Sequence, residues 1–216
     1  MRRNLIHILN AEKLASWYFR LNGFMTIESF ILHDRSSKGL AQRTDADILG
    51  VRFPFRQELD MQDDLRFRNQ PEKPLFIIGE IKSGECKLNG PWTDPLKQNL
   101  QYVLGAIGGF EPRIIDKVAT ALHTKYVYED ELRKVQLLAI GSRLNVEYQR
   151  DRKGLDQLLF IEMLAFVYRR FHDFRMQKRD HKQWDNVGNY LYAEAEHDEA
   201  VFVSTVLRAA GLHLAQ

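Results

Sequence analysis

The spacing of apolar residues in the first third of the chain predicts one helix followed by three strands. From residue 10 to residue 21 apolar positions recur at helical spacing, with Asn10 as the N-cap and Gly23 as the stop. Three runs rich in Ile, Leu, Val or Phe follow, at residues 25–32, 46–53 and 75–81. They predict an antiparallel meander, interrupted by a charged loop or insertion at residues 54–73.

The remainder of the chain predicts helices and one further strand. We expect a helix from about residue 93 to residue 107, a second helix after Pro112, and a strand at residues 135–140. A helical crossover would let this strand lie parallel to the one at residues 75–81, so the sheet is predicted to be mixed. Beyond residue 150 the pattern is helical, with a long segment at 155–184 and a shorter one at 199–210.

These elements predict an α/β fold with a mixed central sheet flanked by helices. We expect residues 1–150 to form the core and residues 151–216 to form a C-terminal helical extension packed on it, as a single domain overall. The chain has 216 residues, of which 44% are hydrophobic and 28% charged, a composition typical of ordinary globular proteins.

The net charge and the cysteine content restrict the expected cellular compartment, but they do not identify a partner. The formal net charge of +2 is too small to indicate nucleic acid unaided. The longest apolar stretch, residues 158–168, contains Glu162 and falls short of the roughly 20 residues that a membrane span needs. A single cysteine, Cys86, excludes an internal disulfide and a cysteine zinc cluster. We therefore expect a cytoplasmic protein without a membrane partner.

The most informative motif is an acidic residue and a lysine at the end of an apolar strand. Glu80 and Lys82 are two residues apart and therefore share one strand face, where a carboxylate can bind Mg²⁺ and an ammonium can orient hydroxide beside a phosphate. The same spacing occurs at three other places in the chain, but only this pair ends an apolar strand. The alternative interpretation is an exposed ion pair between strands.

A second carboxylate precedes a strand that is expected to pair with the one carrying Glu80. Asp47 directly adjoins the apolar run and can face Glu80, and a hard divalent cation favours such an oxygen pair. Asp45 shares the strand face in principle, and we interpret it as a turn or solvent-facing residue.

Together, a helix with Glu12, a strand with Asp47 and a strand with Glu80 and Lys82 resemble the PD-(D/E)xK superfamily of restriction-endonuclease-like nucleases. The resemblance covers about the first 110 residues and implies that family's αβββαβ core. It further implies that Glu12, Asp47, Glu80 and the carbonyl of Ile81 hold metal ions, while Lys82 assists the attacking water. Glu12 is equally well explained as an acidic residue that suits the helix macrodipole.

A further match lies downstream of the Glu80 strand. Gln98 and Tyr102 fit the Gln-x-x-x-Tyr signature of RecB-like members, and on a helix both side chains could reach the site or the DNA backbone. An ordinary amphipathic helix with a half-buried tyrosine is the alternative. The chain departs from the family in having Ala46 where the Pro stands, a long insertion before Glu80, and no cysteine set for an iron-sulfur cluster.

The C-terminal part contains basic residues interleaved with aromatic ones. They could form a surface that binds a nucleic-acid backbone, or a solvated helix face above aromatic core residues. The cluster comprises Arg169, Arg170, Phe171, Phe174, Arg175, Lys178, Arg179, Lys182 and Trp184.

The expected function is hydrolysis of DNA phosphodiester bonds that depends on Mg²⁺ or Mn²⁺. The alternatives are a non-catalytic nucleic-acid-binding or assembly subunit that retains the fold, and a nuclease directed at RNA. A homodimer is attractive because one such site cuts one strand, although no interface signature is visible in the sequence.

Overall fold

A mixed sheet of six strands forms the centre of the protein. The structure is a computed structural model, and it describes residues 9–33, 42–58, 60–68, 72–150 and 154–212. The strands are β1 (Met25–His33), β2 (Gln42–Arg52), β3 (Leu75–Ile81), β4 (Val127–Glu129), β5 (Lys134–Gly141) and β6 (Asp156–Leu159).

Helices flank the sheet and connect its strands. They are α1 (Ala11–Leu21), α2 (Leu65–Arg68), α3 (Gly90–Thr93), α4 (Asn99–Ile107), α5 (Pro112–Lys125), α6 (Val146–Arg150), α7 (Phe160–Asp173), α8 (Asn186–Glu194) and α9 (Glu199–Ala209). None of the helices that the structure describes is long and apolar enough to cross a bilayer.

The strand order confirms the predicted meander and the mixed sheet. β1, β2 and β3 pair antiparallel in succession, and β5 lies parallel to β3 after the crossover through α4 and α5. The opposite edge of β5 is shared by two strands that were not predicted: β4 pairs antiparallel with its first half, and β6 pairs parallel with its second half.

Alternation along the strands divides the core into two hydrophobic clusters. Ile77 belongs to a cluster with α1, α7, α8 and α9, whereas the next residue, Ile78, belongs to a cluster with α4 and α5. Because successive strand side chains point to opposite faces, the two clusters lie on opposite sides of the sheet. We call these the α1 side and the α4 side.

The predicted start of the chain is confirmed at α1. Asn10 caps the helix by accepting a hydrogen bond from the backbone N–H of Lys13 at 2.8 Å, and Gly23 beyond its end has a φ of 81°. A side-chain cap satisfies an N–H that has no partner inside the helix. Local signals therefore sufficed to place this helix.

The predicted helix from residue 93 to residue 107 is wrong in its first half. The chain forms the short α3, a 3₁₀ turn at Pro95–Lys97, and then α4 from Asn99. Pro95 disfavours a helical backbone at the preceding Asp94, which is extended with a φ of −99° and a ψ of 105°. The helix can therefore begin only after the turn.

The predicted long helix at residues 155–184 is also wrong at both ends. Its first residues form β6, because Leu138 to Gly141 of β5 offer a strand edge with which they pair. The helix α7 then ends at Asp173, well before Trp184. Since β6 extends the sheet and α7 packs against α1, the C-terminal part contacts the core closely, and the division at residue 150 stays a prediction.

Candidate functional site

Asp47 and Glu80 meet where the ladder between β2 and β3 ends. The last paired residues are Ile48 and Gly79, so Asp47 and Glu80 are the next residues on their strands. Beyond this pair the two strands separate, and we call this point the fork between β2 and β3. There Asp47 Oδ2, in place of a backbone carbonyl of β2, accepts a hydrogen bond from the N–H of Ile81 at 2.6 Å. The Asp47 carboxylate therefore links the two strands at the fork.

Glu80 is buried and bound to Lys82. Its side chain is 2% exposed, and its Oε1 accepts a hydrogen bond from Lys82 Nζ at 2.5 Å. This contact confirms that the two side chains share one face, and the burial of Glu80 argues against an ordinary exposed ion pair. Lys82 itself is 32% exposed, so its ammonium also faces solvent.

Electrostatics set Glu80 apart from an ordinary carboxylate. Burial raises the pKa of Glu80 to about 7; the hydrogen bond from Lys82 lowers it, the charge of Asp47 raises it, and a hydrogen bond from the Trp92 side chain lowers it. Burial also raises the pKa of Asp47, against the N–H of Ile81 and the charge of Lys82. Two adjacent carboxylates with raised pKa values are typical of sites that bind a cation or transfer protons.

The backbone beyond Lys82 is fastened to the end of β5. Lys82 N–H donates to the Ile140 carbonyl at 2.9 Å, and Ser142 N–H donates to the Gly84 carbonyl at 2.6 Å. Gly141 is required at this point, because a Cβ there would lie 2.7 Å from the Gly84 oxygen. These contacts fix where the Lys82 side chain leaves the sheet.

One backbone irregularity lies directly across β2 from the site. Ser29 falls between Glu28 and Phe30, which pair with Ile48 and Ala46, so it stands opposite Asp47. Its φ is 49°, in the left-handed region that a residue with a side chain adopts only at a cost.

Glu12 is not gathered with the other two carboxylates. Among the described residues no group of three or more His, Cys, Asp or Glu side chains is placed to hold a metal ion. Glu12 lies in the first turn of α1, which packs on the α1 side of the sheet, whereas Glu80 faces Trp92 on the α4 side. The first-turn position suits the macrodipole, which was the alternative interpretation.

Gln98 and Tyr102 do not sit on one regular helix as predicted. Gln98 is an exposed residue with a φ of 55° that precedes α4, and its carbonyl accepts the N–H of Tyr102 at 3.2 Å. The start of α4 is tied to β2 by the buried Asn99, whose Nδ2 donates to Thr44 Oγ1 at 3.1 Å. Thr44 is three residues before Asp47, which is about 10 Å along β2, so the start of α4 is anchored at about that distance from the site.

The sequence reasoning missed two contributors to the site. Trp92 reaches Glu80 from α3, and Asn99 anchors α4 to β2. Trp92 belongs to no motif and Asn99 is an unspecified position of the Gln-x-x-x-Tyr signature, so their roles depend on how the chain from residue 83 to residue 98 folds back over the sheet. Cys86 in this segment is buried, and burial raises the pKa of its thiol to about 12, so it is no nucleophile at neutral pH.

Several basic residues of the C-terminal cluster form ion pairs with carboxylates of the protein itself. Arg170 is 2% exposed and bound to Glu58, and Lys178 binds the same carboxylate. Arg175 pairs with Glu196, and Phe171 is buried in the core. These contacts support the structural alternative for those residues, and they leave Arg169, Arg179 and Lys182 as exposed cations.

Two carboxylates and a backbone carbonyl suit a magnesium site in which the protein supplies only a few of the ligands. Mg²⁺ is commonly held through one or two carboxylates while it keeps several waters and substrate phosphates. Asp47 commits Oδ2 to Ile81, and its Oδ1 is a further oxygen that can act as a ligand. The carbonyl of Ile81 and the carboxylate of Glu80 adjoin it on β3.

Comparisons with protein-family models, with curated proteins and with solved structures give no match for this chain.

Proposed function

We propose that this protein is a Mg²⁺- or Mn²⁺-dependent nuclease with a restriction-endonuclease-like core that hydrolyses DNA phosphodiester bonds. The observation that carries the proposal is the adjacency of Asp47 and Glu80 at the fork between β2 and β3, with Lys82 on the same face. Strand order and the first helix are compatible with an αβββαβ core. A membrane partner is not expected, and nucleic acid is the proposed one.

Each residue has a role that follows from its chemistry and position. Asp47, Glu80 and the carbonyl of Ile81 would hold the cation, which supplies charge neutralisation at the phosphate and a more acidic bound water. Lys82, partly exposed and next to Glu80, orients the attacking water and offsets negative charge on the phosphate. Gln98 and Tyr102 lie at the start of α4, which Asn99 anchors to β2, and they contact the DNA strand beyond the scissile phosphate.

Two observations favour the second candidate, a nucleic-acid-binding or assembly subunit without turnover. Glu12 contributes no third carboxylate, and Lys82 is engaged by Glu80. A site with two carboxylates must obtain its remaining ligands from water and substrate, and a subunit that never turns over would keep the ion pair closed. The two candidates differ in one measurable property, which is cleavage.

The deciding experiment incubates the purified protein with linear, circular and single-stranded DNA, and with RNA, in Mg²⁺, Mn²⁺ or EDTA. We expect cleavage that EDTA stops and that Lys82→Ala or Asp47→Asn reduces by about a hundredfold or more. Asn at position 47 can still accept the Ile81 N–H, so the fork should stay closed. Cleavage of circular DNA would identify an endonuclease.

The chain offers a matched control with the same spacing. Asp180 and Lys182 are also two residues apart but are both exposed, so Asp180→Asn should cleave like the wild type, and Lys182→Ala should change at most the affinity for DNA and not the cleavage of bound DNA. Undiminished cleavage by Lys82→Ala or Asp47→Asn would refute the assigned site. DNA binding without cleavage in any metal would establish the non-catalytic subunit instead, and cleavage of RNA alone would redirect the substrate.

A further inference from the structure

A pocket of about 530 Å³ opens between the end of β1, α4 and the start of α5. Its volume lies within the range of about 300–1,000 Å³ that small-molecule sites occupy. Leu32, Phe110 and Ile115 contribute apolar surface, and Gln101 and Asp116 contribute polar groups. Gln98 and Tyr102 also line it, whereas Asp47 and Glu80 do not, so the pocket adjoins the proposed path of the DNA strand and lies outside the proposed metal site.

The walls of the pocket suit an occupant that has a flat apolar face and a polar edge. Phe110 is buried and packs against Phe76 with ring centroids 5.1 Å apart, which gives the pocket a rigid floor. Gln101 brings an amide whose Oε1 is buried and has no hydrogen-bond partner among the residues that the structure describes. A buried acceptor without a partner calls for a donor to complete it.

A carboxylate on the pocket wall favours a base over a phosphate as the occupant. Asp116 is exposed at the pocket wall, and a carboxylate repels a phosphate but accepts hydrogen bonds from an amino group. Carboxylates read the exocyclic amine of cytosine, and glutamine amides pair with adenine. Thymine offers oxygen acceptors and a methyl group in place of that amine, so it satisfies these side chains less well.

The pocket also lies at a suitable distance from the proposed catalytic site. Leu32 in its wall pairs with Thr44 on β2, and Thr44 is three residues from Asp47. Three strand residues span about 10 Å, a distance that a few nucleotides of an unstacked DNA strand can bridge. A DNA strand whose phosphate lies at Asp47 can thus present a neighbouring base to the pocket.

We propose that this pocket binds one unstacked nucleobase of the substrate strand, and that the base carries an exocyclic amino group. The inference rests on the proposed function and extends it: the enzyme prefers single-stranded or opened DNA, since a base in a stacked duplex cannot enter a pocket. Phe110 and Ile115 lie under the base, and Gln101 and Asp116 contact its edge.

The test compares fluorescein-labelled DNA hexamers made only of cytosine, only of adenine or only of thymine, by fluorescence anisotropy in EDTA. Equal length gives equal phosphate charge, so differences in affinity report the bases. We expect the adenine and cytosine hexamers to bind at least about fivefold more tightly than thymine. Gln101→Leu and Asp116→Leu should each reduce that preference to less than about twofold.

Matched substitutions elsewhere control for loss of an amide or a charge. Gln183→Leu and Asp180→Leu replace exposed residues and should retain the wild-type preference. Asp116 is exposed as well, so Asp116→Leu keeps the test valid if Gln101→Leu does not fold. Equal wild-type affinity for the three hexamers, or a preference that survives both pocket substitutions, overturns the inference.

Cleavage measured in parallel separates failure of the pocket from failure of the proposed function. Wild-type cleavage of DNA in Mn²⁺ together with equal affinity for the three hexamers would discard the base pocket and keep the nuclease. Absence of any DNA affinity would overturn both proposals.

Discussion

Two of the charged clusters that the structure describes differ in the balance between cations and carboxylates. One is the candidate site, with Asp47, Glu80 and Lys82. The other lies between the chain after β2 and helix α7, and we call it the Asp63 network. Its members are Arg52, Arg56, Glu58, Asp63, Arg170 and Lys178.

Cations outnumber carboxylates in the Asp63 network. Arg52 and Arg56 both bind Asp63, while Arg170 binds Glu58 at 3.1 Å. Burial alone would raise the pKa of Glu58, but the hydrogen bond from Lys178 and the surrounding positive charges outweigh it, so this pKa lies below its usual value. The charged state of Glu58 is thus the favoured one.

The candidate site has the opposite balance, with two carboxylates and one ammonium. The pKa values of Asp47 and Glu80 are both raised, as expected where negative charge is buried without enough positive charge beside it. Perturbed pKa values cluster at functional sites, and a bound cation would compensate the excess of buried negative charge at Asp47 and Glu80. This difference is our main reason to separate structural from functional charge in this protein.

The largest expected effect comes from breaking the Asp63 network at its most buried cation. Arg170→Ala leaves Glu58 and Asp63 with fewer partners in a buried place, and we expect the free energy of unfolding to fall by about 3–5 kcal/mol. The measurement is urea denaturation, with the midpoint compared at an unchanged slope.

The neighbouring arginine provides the control for this substitution. Arg169 is 54% exposed and lies 3.8 Å from Glu199, so Arg169→Ala should cost less than about 1 kcal/mol. Equal destabilisation by both substitutions would contradict a structural role for the network.

A smaller effect of opposite sign is expected at the candidate site. The folded protein holds the Glu80 proton with a pKa of about 7, against 4.5 for an ordinary glutamate. Since the folded state binds this proton more tightly than the unfolded chain, stability falls as the pH rises from about 4.5 to about 7 and then levels off. In EDTA at pH 8, Glu80→Gln should therefore raise the free energy of unfolding by on the order of 2–3 kcal/mol.

The pH dependence distinguishes this cause from a general benefit of removing charge. At pH 5 the gain from Glu80→Gln should nearly vanish, because the wild-type carboxyl is then protonated. Glu131 is an exposed carboxylate, and Glu131→Gln should change stability little at either pH. A Glu80→Gln protein that is less stable than the wild type at pH 8 would show that the negative charge of the candidate site is compensated as fully as that of the Asp63 network.

Elements with strong local signals were predictable from the sequence, and elements that depend on distant partners were not. Asn10 and Gly23 mark the ends of α1, and the apolar run of β3 has the predicted bounds. The segment that forms β6 follows the same apolar spacing as the helix after it, and only the free edge of β5 makes it a strand. Tertiary pairing overrides local preference there.

The same distinction holds for the charged residues. Glu80 and Lys82 were predictable because strand alternation puts them on one face. Arg170 belonged to an apparent basic surface, and its burial depends on Glu58 and Asp63, which come from a distant segment without regular structure. Glu12 was expected at the site from a resemblance, and the side of the sheet on which α1 packs separates it from Glu80.

The smallest expected effect concerns backbone strain beside the candidate site. Ser29 stands opposite Asp47 with a φ of 49°, a conformation that glycine adopts freely and that costs other residues about 1–2 kcal/mol. We expect Ser29→Gly to be more stable than Ser29→Ala by about 1 kcal/mol, by urea denaturation. Both substitutions remove the hydroxyl, so their difference reports the backbone alone.

Ile31 on the same strand provides the reference, because its φ is not positive and its side chain is also exposed. There glycine should be less stable than alanine by roughly 0.5–1 kcal/mol. Glycine favours the left-handed conformation beside which Asp47 reaches the Ile81 N–H, so Ser29→Gly should also cleave DNA at least as fast as Ser29→Ala. A glycine variant that is no more stable than the alanine variant would show that the backbone at Ser29 is not strained, and the candidate site would then differ from the Asp63 network in charge balance only.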